Sequence, residues 1–409
     1  MRIGYSCKTL AVPGTAFRSC TLKYANEDNI GRLTSLNLAA LDKTIEYNQA
    51  NGIKLFRICS DLVPFGSHPV NKLNWREIYK DKFLSVGGKI IKYGMRVSVH
   101  PGQYTVLNSL NEDVVERAVS DLIYHADILD SLGMNESHKI ILHIGGLYGD
   151  KKNSINRFIR NFSRLPDNIK RRLVIENDDK FYDISDLIGI SYVTGLPVVM
   201  DILHHRMLKP DNRDIGYWLN LAFDTWKDTP KIHYSDQNNN LRAGAHSESI
   251  DIDNFLSFFN TLTRDTDIML EVKDKNISAL KCINLTTADR NPERLTAEEN
   301  RYKYKILECS PAHYRELIEL DLDAYPVYEF YSITNKAMSE KPDNDNRLRA
   351  AREAYESISK NLTASEKDYY MKAERYSQSE KFPVKRLKNI LYKYSIKYNL
   401  SLQESYYFL

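Results

Sequence analysis

The chain has 409 residues, a 42% apolar fraction and a formal net charge of +3. Those values exclude a disordered tail or a fibre, give no global pull toward nucleic acid, and leave room for one large α/β domain with an appendage. No uninterrupted apolar run approaches the length that spans a bilayer, and the N-terminus enters a strand pattern without an apolar leader, so a cytoplasmic protein with no membrane association is expected.

In chain order, Arg2–Ser6 reads as a first strand, and Leu33–Gln49 has helical spacing closed by Gly52. Lys54–Cys59 is a second strand, followed by an irregular loop, Ser60–Pro69, whose prolines and glycines suit a functional rim. A helix over Trp75–Lys92 stops at Gly94. Strand Arg96–Val99 then ends in the turn His100-Pro101-Gly102-Gln103-Tyr104. The alternation continues through helix Glu112–Leu132, strand Lys139–Ile144, helix Lys152–Leu165, strand Arg172–Ile175 and helix Ile184–Thr194. Strand Leu196–Met200, helix Ile215–Trp226, strand Lys231–Tyr234, helix Asp251–Thr261 and strand Asp267–Val272 complete it.

Eight strands separated by helices predict an α/β fold closed into a parallel (β/α)8 TIM barrel. Ala279–Thr287 finishes that barrel, so residues 1–288 are assigned to a catalytic barrel domain. Residues 289–409, charged, tyrosine-rich and helical in pattern, are assigned to a C-terminal, mainly helical extension with a linker at Lys341–Asn346. Its last helix places Leu387, Ile390, Leu391, Tyr394 and Tyr398 on one face, with Lys385, Arg386, Lys388, Lys393 and Lys397 nearby. The five cysteines (Cys7, Cys20, Cys59, Cys282, Cys309) include no Cys-x-x-Cys pair and read as reduced core residues.

Six apolar runs finish on an ionisable group: Val97-Ser98-Val99-His100, Ile140-Ile141-Leu142-His143, Leu173-Val174-Ile175-Glu176, Val198-Val199-Met200-Asp201, Lys231-Ile232-His233 and Ile268-Met269-Leu270-Glu271. An Asp at a strand end commonly caps the next helix. Repetition at six ends exceeds what capping explains, and ionisable groups at the mouth of an apolar strand are costly unless paired or coordinated. His100, His143, Glu176, Asp201, His204, His233, His246 and Glu271 therefore form a candidate metal set, too large for one ion. Mixed imidazole and carboxylate donors suit Mn²⁺, Zn²⁺ or Fe²⁺. Two or three ions about 3.5–4 Å apart, sharing Glu176 and Asp201, would clamp the attacking and leaving oxygens of a phosphodiester. Paired ions also suit isomerisation of a sugar. His125, His138 and His313 read as ordinary structural histidines, and His205 as either a ligand-orienting group or a surface neighbour.

The strings Arg96-Val97-Ser98-Val99-His100-Pro101-Gly102-Gln103, Glu176-Asn177-Asp178-Asp179, Asp201 to His205, and Gly244-Ala245-His246 together resemble the UV damage endonucleases of the UvsE/UVDE type. The likeness runs from Arg2 to about Leu285. It implies a TIM barrel related to the apurinic endonuclease IV group, carrying two or three divalent ions on the eight residues named above, Mn²⁺ ahead of Zn²⁺ or Mg²⁺. It also implies Glu176, Asp201, Lys231 and Glu271 as catalytic residues, with Lys231 a lysine that can be carboxylated.

Gln103 and Tyr104 match the pair that in this family probes the duplex and fills the space left by a lesion. Tyr5 matches a tyrosine near the lesion pocket, and His68 a histidine at its rim. Thr9 stands where relatives carry asparagine, so a lesion contact has a hydroxyl in place of an amide. The implied partner is damaged double-stranded DNA, met by a monomer with no obligatory protein partner and no membrane. The implied reaction is hydrolysis of the phosphodiester immediately 5′ to cyclobutane pyrimidine dimers, 6-4 photoproducts and other distorting lesions. A crosslinked dipyrimidine stacks and pairs poorly, so extruding it costs less than extruding intact bases, and an aromatic wedge can occupy the gap.

Three other readings stay open at the sequence level: a sugar isomerase, an abasic-site endonuclease on the same barrel, and a damage-binding module without chemistry. Lys8, Arg18, Arg206, Lys209, Lys273 and Lys275 are candidates for contacts to the DNA backbone.

Overall fold

The computed structural model describes residues 1–377 and 383–409. Eight parallel strands run in chain order around a closed barrel: β1 (Ile3–Ser6), β2 (Leu55–Ile58), β3 (Arg96–Val99), β4 (Lys139–His143), β5 (Leu173–Glu176), β6 (Val198–Asp201), β7 (Lys231–Tyr234) and β8 (Asp267–Leu270). Each pairs with the next and β8 returns to β1. This is the TIM barrel that the alternation predicts, accompanied by a helical C-terminal region. Ile140, Ile141, Val174, Ile175, Val198 and Val199 are all buried, because a parallel strand sheathed by helices hides both faces.

The elements differ from expectation at helix starts, at one break and in the shortest helices. The first helix is Glu27–Ala50 and begins six residues before Leu33, at Asn26, whose side chain accepts the Asn29 amide at 2.9 Å. Its first turn holds Glu27 and Asp28, favourable beside the helix N-terminus but silent in an apolar pattern. The Trp75–Lys92 segment is two helices, Trp75–Ile78 and Lys80–Lys92, parted at Tyr79. Helices Asp167–Arg172 and Ile202–Met207, both too short for a periodic signal, were not expected. The linker at Lys341–Asn346 is confined to residues 341–343, since Asp343 caps a helix over Asn344–Ile358. Of the cysteines only Cys282 and Cys309 are buried; Cys7, Cys20 and Cys59 are half-buried, and all five are free. No helix among the described residues is long and apolar enough to cross a membrane.

The N-terminal end of the barrel is closed by an ionic plug. Asp267, fully buried, accepts Arg96 Nη1 at 2.9 Å and Arg2 Nη1 at 3.0 Å. Arg96 also donates to the carbonyls of Ser137 and Thr229 at 2.9 and 2.7 Å and lies over the Trp226 ring. The wall above it is close-packed: a Cβ on Gly4 would overlap the Leu55 carbonyl of the neighbouring strand. Gly4→Ala is therefore expected to lower stability by about 1–3 kcal/mol, read as a lower urea midpoint. An unchanged midpoint would show that β1 and β2 can separate freely.

The chain divides into two compact units, Met1–Thr9 with Gly14–Ile283, and Leu10–Pro13 with Asn284–Leu409. In the second unit, tyrosines serve as both core and donors. Buried Glu298 accepts the hydroxyls of Tyr331 and Tyr406 at 3.3 and 3.0 Å and Arg301 Nη1 at 3.0 Å, while the Tyr302 ring meets that of Tyr406 edge-on. In the last long helix, Lys385–Lys397, Leu387, Ile390 and Leu391 are buried as the spacing predicts, but Lys388 turns inward to Glu308 at 2.6 Å.

Candidate metal centre

The C-terminal mouth of the barrel collects the ionisable strand ends. His143, Glu176 and Asp201 are the last residues of their strands, His100 and Glu271 follow β3 and β8 directly, and His233 lies inside β7. The register sets His143 opposite Glu176 and Asp201 opposite His233, so these side chains arrive at one level.

Glu176 is the hub. Its Oε2 lies 2.9 Å from His100 Nε2 and 3.6 Å from His143 Nε2, and its Oε1 lies 2.7 Å from His233 Nδ1. Three groups have ligand atoms within 4.8 Å of one another: His100–His143–Glu176, Glu176–Asp201–His204 and Glu176–His233–Glu271. Glu176 is common to all three.

Backbone carbonyls aim the imidazoles. Nδ1 of His100, His143, His204 and His246 faces the carbonyl oxygens of Pro101, Glu176, Asn177 and Glu271 at 3.0, 3.3, 3.0 and 2.5 Å. A carbonyl only accepts, so Nδ1 donates to it in each case, an arrangement that would turn Nε2 toward an ion bound at the centre. Asn177 adds a brace, its side chain exchanging hydrogen bonds with the Asp201 backbone at 2.8 and 3.2 Å.

Asp201 shows that capping and an available carboxylate coexist. Its Oδ1 accepts the His204 amide at 2.8 Å, capping helix Ile202–Met207, while its Oδ2 is buried without a partner among the described residues. Burial, reinforced by Glu176 and Glu271, raises the Asp201 carboxyl above its usual range. Burial acts against ionisation of Glu176 too, but His233, His143 and His100 outweigh it and hold that carboxyl well below the usual range. For Glu271 burial is likewise overcome, chiefly by the Arg57 guanidinium, with which it forms an ion pair, and by His233. Burial pushes His100 down to about 4, whereas Asp201 and Glu176 overcome burial at His204 and lift it to about 9.

This donor set fits divalent ions. Asp201 Oδ2 and His233 Nε2 are buried and lack partners among the described residues, a costly condition that a cation relieves. His246 stands beside the set, its ring 5.9 Å from that of His204 and outside the three groups. Lys231 is fully buried with its Nζ unpartnered among the described residues. Burial, with Arg96 next, pushes its amine down to about 7, and its other charged neighbours are Asp267, Arg57 and Arg2.

A cavity of about 1000 Å³ opens over the centre, lined by His100, His143, Glu176, His204, His246 and Glu271 together with Gln103 and Tyr104. Tyr5, Thr9 and His68 lie elsewhere. Strand alternation turns Tyr5 away from the barrel interior: it is fully buried against Phe56, its hydroxyl 2.7 Å from Thr9 Oγ1 and donating to Asn48 Oδ1 at 2.9 Å. His68 is exposed on the loop after β2, its Nδ1 accepting the Val70 amide at 3.0 Å. Of the basic candidates, Lys273 lines the cavity, Arg206 and Lys209 line a separate cleft with His205, Lys275 donates to Ser6 Oγ at 3.1 Å, and Lys8 and Arg18 are exposed.

Arg57 is a member of the centre that the sequence pattern did not single out, and Asn177, part of the Glu176–Asp179 string, had no role assigned to it there. Arg57 was visible as a charge between Phe56 and Ile58 in an apolar strand, which is where an inward-facing ion pair would sit.

Fold and site together define a TIM barrel with a polydentate histidine–carboxylate centre at its C-terminal mouth. Residues 1–299 match the family described as UV-endonuclease UvdE. The chain is 38% identical over 351 residues to the UV DNA damage endonuclease of Clostridium perfringens, covering 84% of each. It is 31% identical over 312 residues to that of Bacillus cereus strain Q1, covering 73% of this chain and 98% of the relative. The crystal structure of SacUVDE matches with a TM-score of 0.68 and 41% identity, over 70% of this chain and 97% of that one. The chain belongs to the UV-endonuclease UvdE family, and it is an endonuclease.

Proposed function

We propose that the protein repairs UV-damaged duplex DNA by hydrolysing the phosphodiester immediately 5′ to cyclobutane pyrimidine dimers, 6-4 photoproducts and related distortions. The observation that carries the reading is the convergence of three ligand groups on Glu176 beneath an open cavity, in a chain of this family. His100, His143, Asp201, His204, His233 and Glu271 would hold two or three divalent ions with Glu176 shared between them, and His246 would complete the shell. Mn²⁺ is the ion we assign, on its fit to mixed imidazole and carboxylate donors. Bound there, the ions supply positive charge for the scissile phosphate and lower the pKa of water.

The chain's own residues do the rest. The carbonyl-anchored histidines keep Nε2 fixed, Arg57 holds Glu271 ionised and in place, and Asn177 locks the Asp201 backbone. Lys231, a buried amine near neutrality with Arg96 and Arg57 beside it, has the character needed to take up carbon dioxide as a carbamate, whose negative charge those arginines would offset. Gln103 and Tyr104, exposed on the rim, would enter the duplex at the lesion, and Lys273 would meet backbone phosphate.

An end-labelled duplex with a single cyclobutane dimer tests the reading. A Mn²⁺-dependent cut directly 5′ to the dimer, abolished by chelator and restored by added metal, is expected. Cutting only at abasic sites would reassign the protein to a general abasic-site endonuclease, and turnover of free ketoses without effect of DNA would reassign it to sugar chemistry.

A further inference from the structure

Two consecutive strand ends carry the same three-residue device. After β3 the chain runs Gly102-Gln103-Tyr104, and after β4 it runs Gly146-Leu147-Tyr148. In each, the tyrosine ring folds back over the glycine. A Cβ on Gly102 would collide with the Tyr104 ring, and one on Gly146 would come within 3.2 Å of the Tyr148 ring. Glycine leaves room for the ring to lie on its own turn.

Tyr148 is held at some cost. Its φ of +49° is a left-handed conformation that an aromatic residue rarely adopts. The Arg157 guanidinium lies 5.5 Å from its ring centroid, and is itself fixed by donating to the Asn108 carbonyl at 2.9 Å and to Ser154 Oγ at 2.7 Å. Despite that support the ring stays 41% exposed and lines the cavity above the metal centre. Phe181, 39% exposed, lines the same cavity from the turn after β5, where Asp178 Oδ1 accepts its amide at 2.6 Å. Lys180, Arg242 and Lys273 line the cavity too, Arg242 lying 3.8 Å from the Asp179 carboxylate on the same wall. Exposed rings in a cavity that also holds lysines suit a ligand that is flat and apolar in one part and anionic in another, as an unpaired nucleotide is.

We propose that Tyr148 is a base-stacking residue, its ring taking the π-face of an unpaired pyrimidine nucleotide drawn into the cavity, with Phe181 flanking it. The proposal deepens the endonuclease reading and rests on it for the source of that nucleotide. The two Gly-x-Tyr turns then divide the work: Tyr104 occupies the space inside the duplex, and Tyr148 receives what has left it.

The test compares the full-length protein with Tyr148→Ala and Tyr148→Phe, measuring affinity for a single-dimer duplex, an undamaged duplex and a short single-stranded thymidine oligonucleotide, with bound metal quantified in each variant. Tyr148→Ala is expected to lose about 10-fold in affinity for the damaged duplex and the oligonucleotide. Its metal content and its binding to undamaged duplex should stay unchanged, and Tyr148→Phe should bind as the unaltered protein does. Equal weakening on all three DNAs, an alanine variant that binds normally, or a phenylalanine variant as weak as the alanine one would each overturn a stacking role. If the unaltered protein fails to distinguish damaged from undamaged duplex, the damage-endonuclease reading falls, while the oligonucleotide arm still decides whether Tyr148 stacks on a base.

Discussion

Glu176→Gln is expected to lower nicking of a dimer-containing duplex by on the order of 1,000-fold or more. The amide keeps the side chain's size and removes its charge, and that charge is what the imidazoles of His100, His143 and His233 surround. Because Glu176 belongs to every candidate ligand group, its loss should also strip bound divalent metal. The folded barrel should survive, since the buried carboxylate takes no part in the strand ladders and the amide fills the same space. Single-turnover nicking, metal content by mass spectrometry and far-UV circular dichroism together check this. Near-normal nicking with a full metal complement would remove Glu176 from the centre.

Asp267→Ala is expected to be the most destabilising single change at the opposite end of the barrel, by about 3–5 kcal/mol. Asp267 is the shared counter-ion of Arg96 and Arg2. Arg96 is only 4% exposed, so without Asp267 it keeps its carbonyl partners and a longer, 3.5 Å contact to the exposed Asp228 but loses its buried compensating charge. Arg2 is partly exposed, and Arg2→Met should therefore cost much less. Urea unfolding of the three proteins gives the comparison. Equal midpoints for Asp267→Ala and the unaltered protein would mean that water replaces the missing carboxylate.

The barrel was legible in the chain because most strands carry a short aliphatic run and the longer helices between them an apolar stripe, so the two periods alternate. The six strand ends were legible for a related reason: an ionisable residue is conspicuous at the end of an apolar run. Short and polar-started elements were not. Helix Ile202–Met207 has too few residues to show a period, and the first turn of Glu27–Ala50 is announced only by its cap. Arg57 was visible as a charge between Phe56 and Ile58, but its pairing with Glu271 was not, because Glu271 comes within reach only when β8 closes the barrel against β1. Tyr5 matches a family tyrosine, but the linear pattern does not show on which side of the barrel wall its ring lies.

Asp201 joins two properties that are usually set separately. One of its oxygens begins the helix that carries His204, and the other is aimed at the centre where His204 points. An ion bound at the centre would thus be thermodynamically linked to the order of that helical turn, each drawing on the same carboxylate. Asparagine could begin the helix but would bring no charge, and glutamate would keep the charge but shift the helix start. Aspartate meets both demands at once, by geometry at one oxygen and by charge at the other.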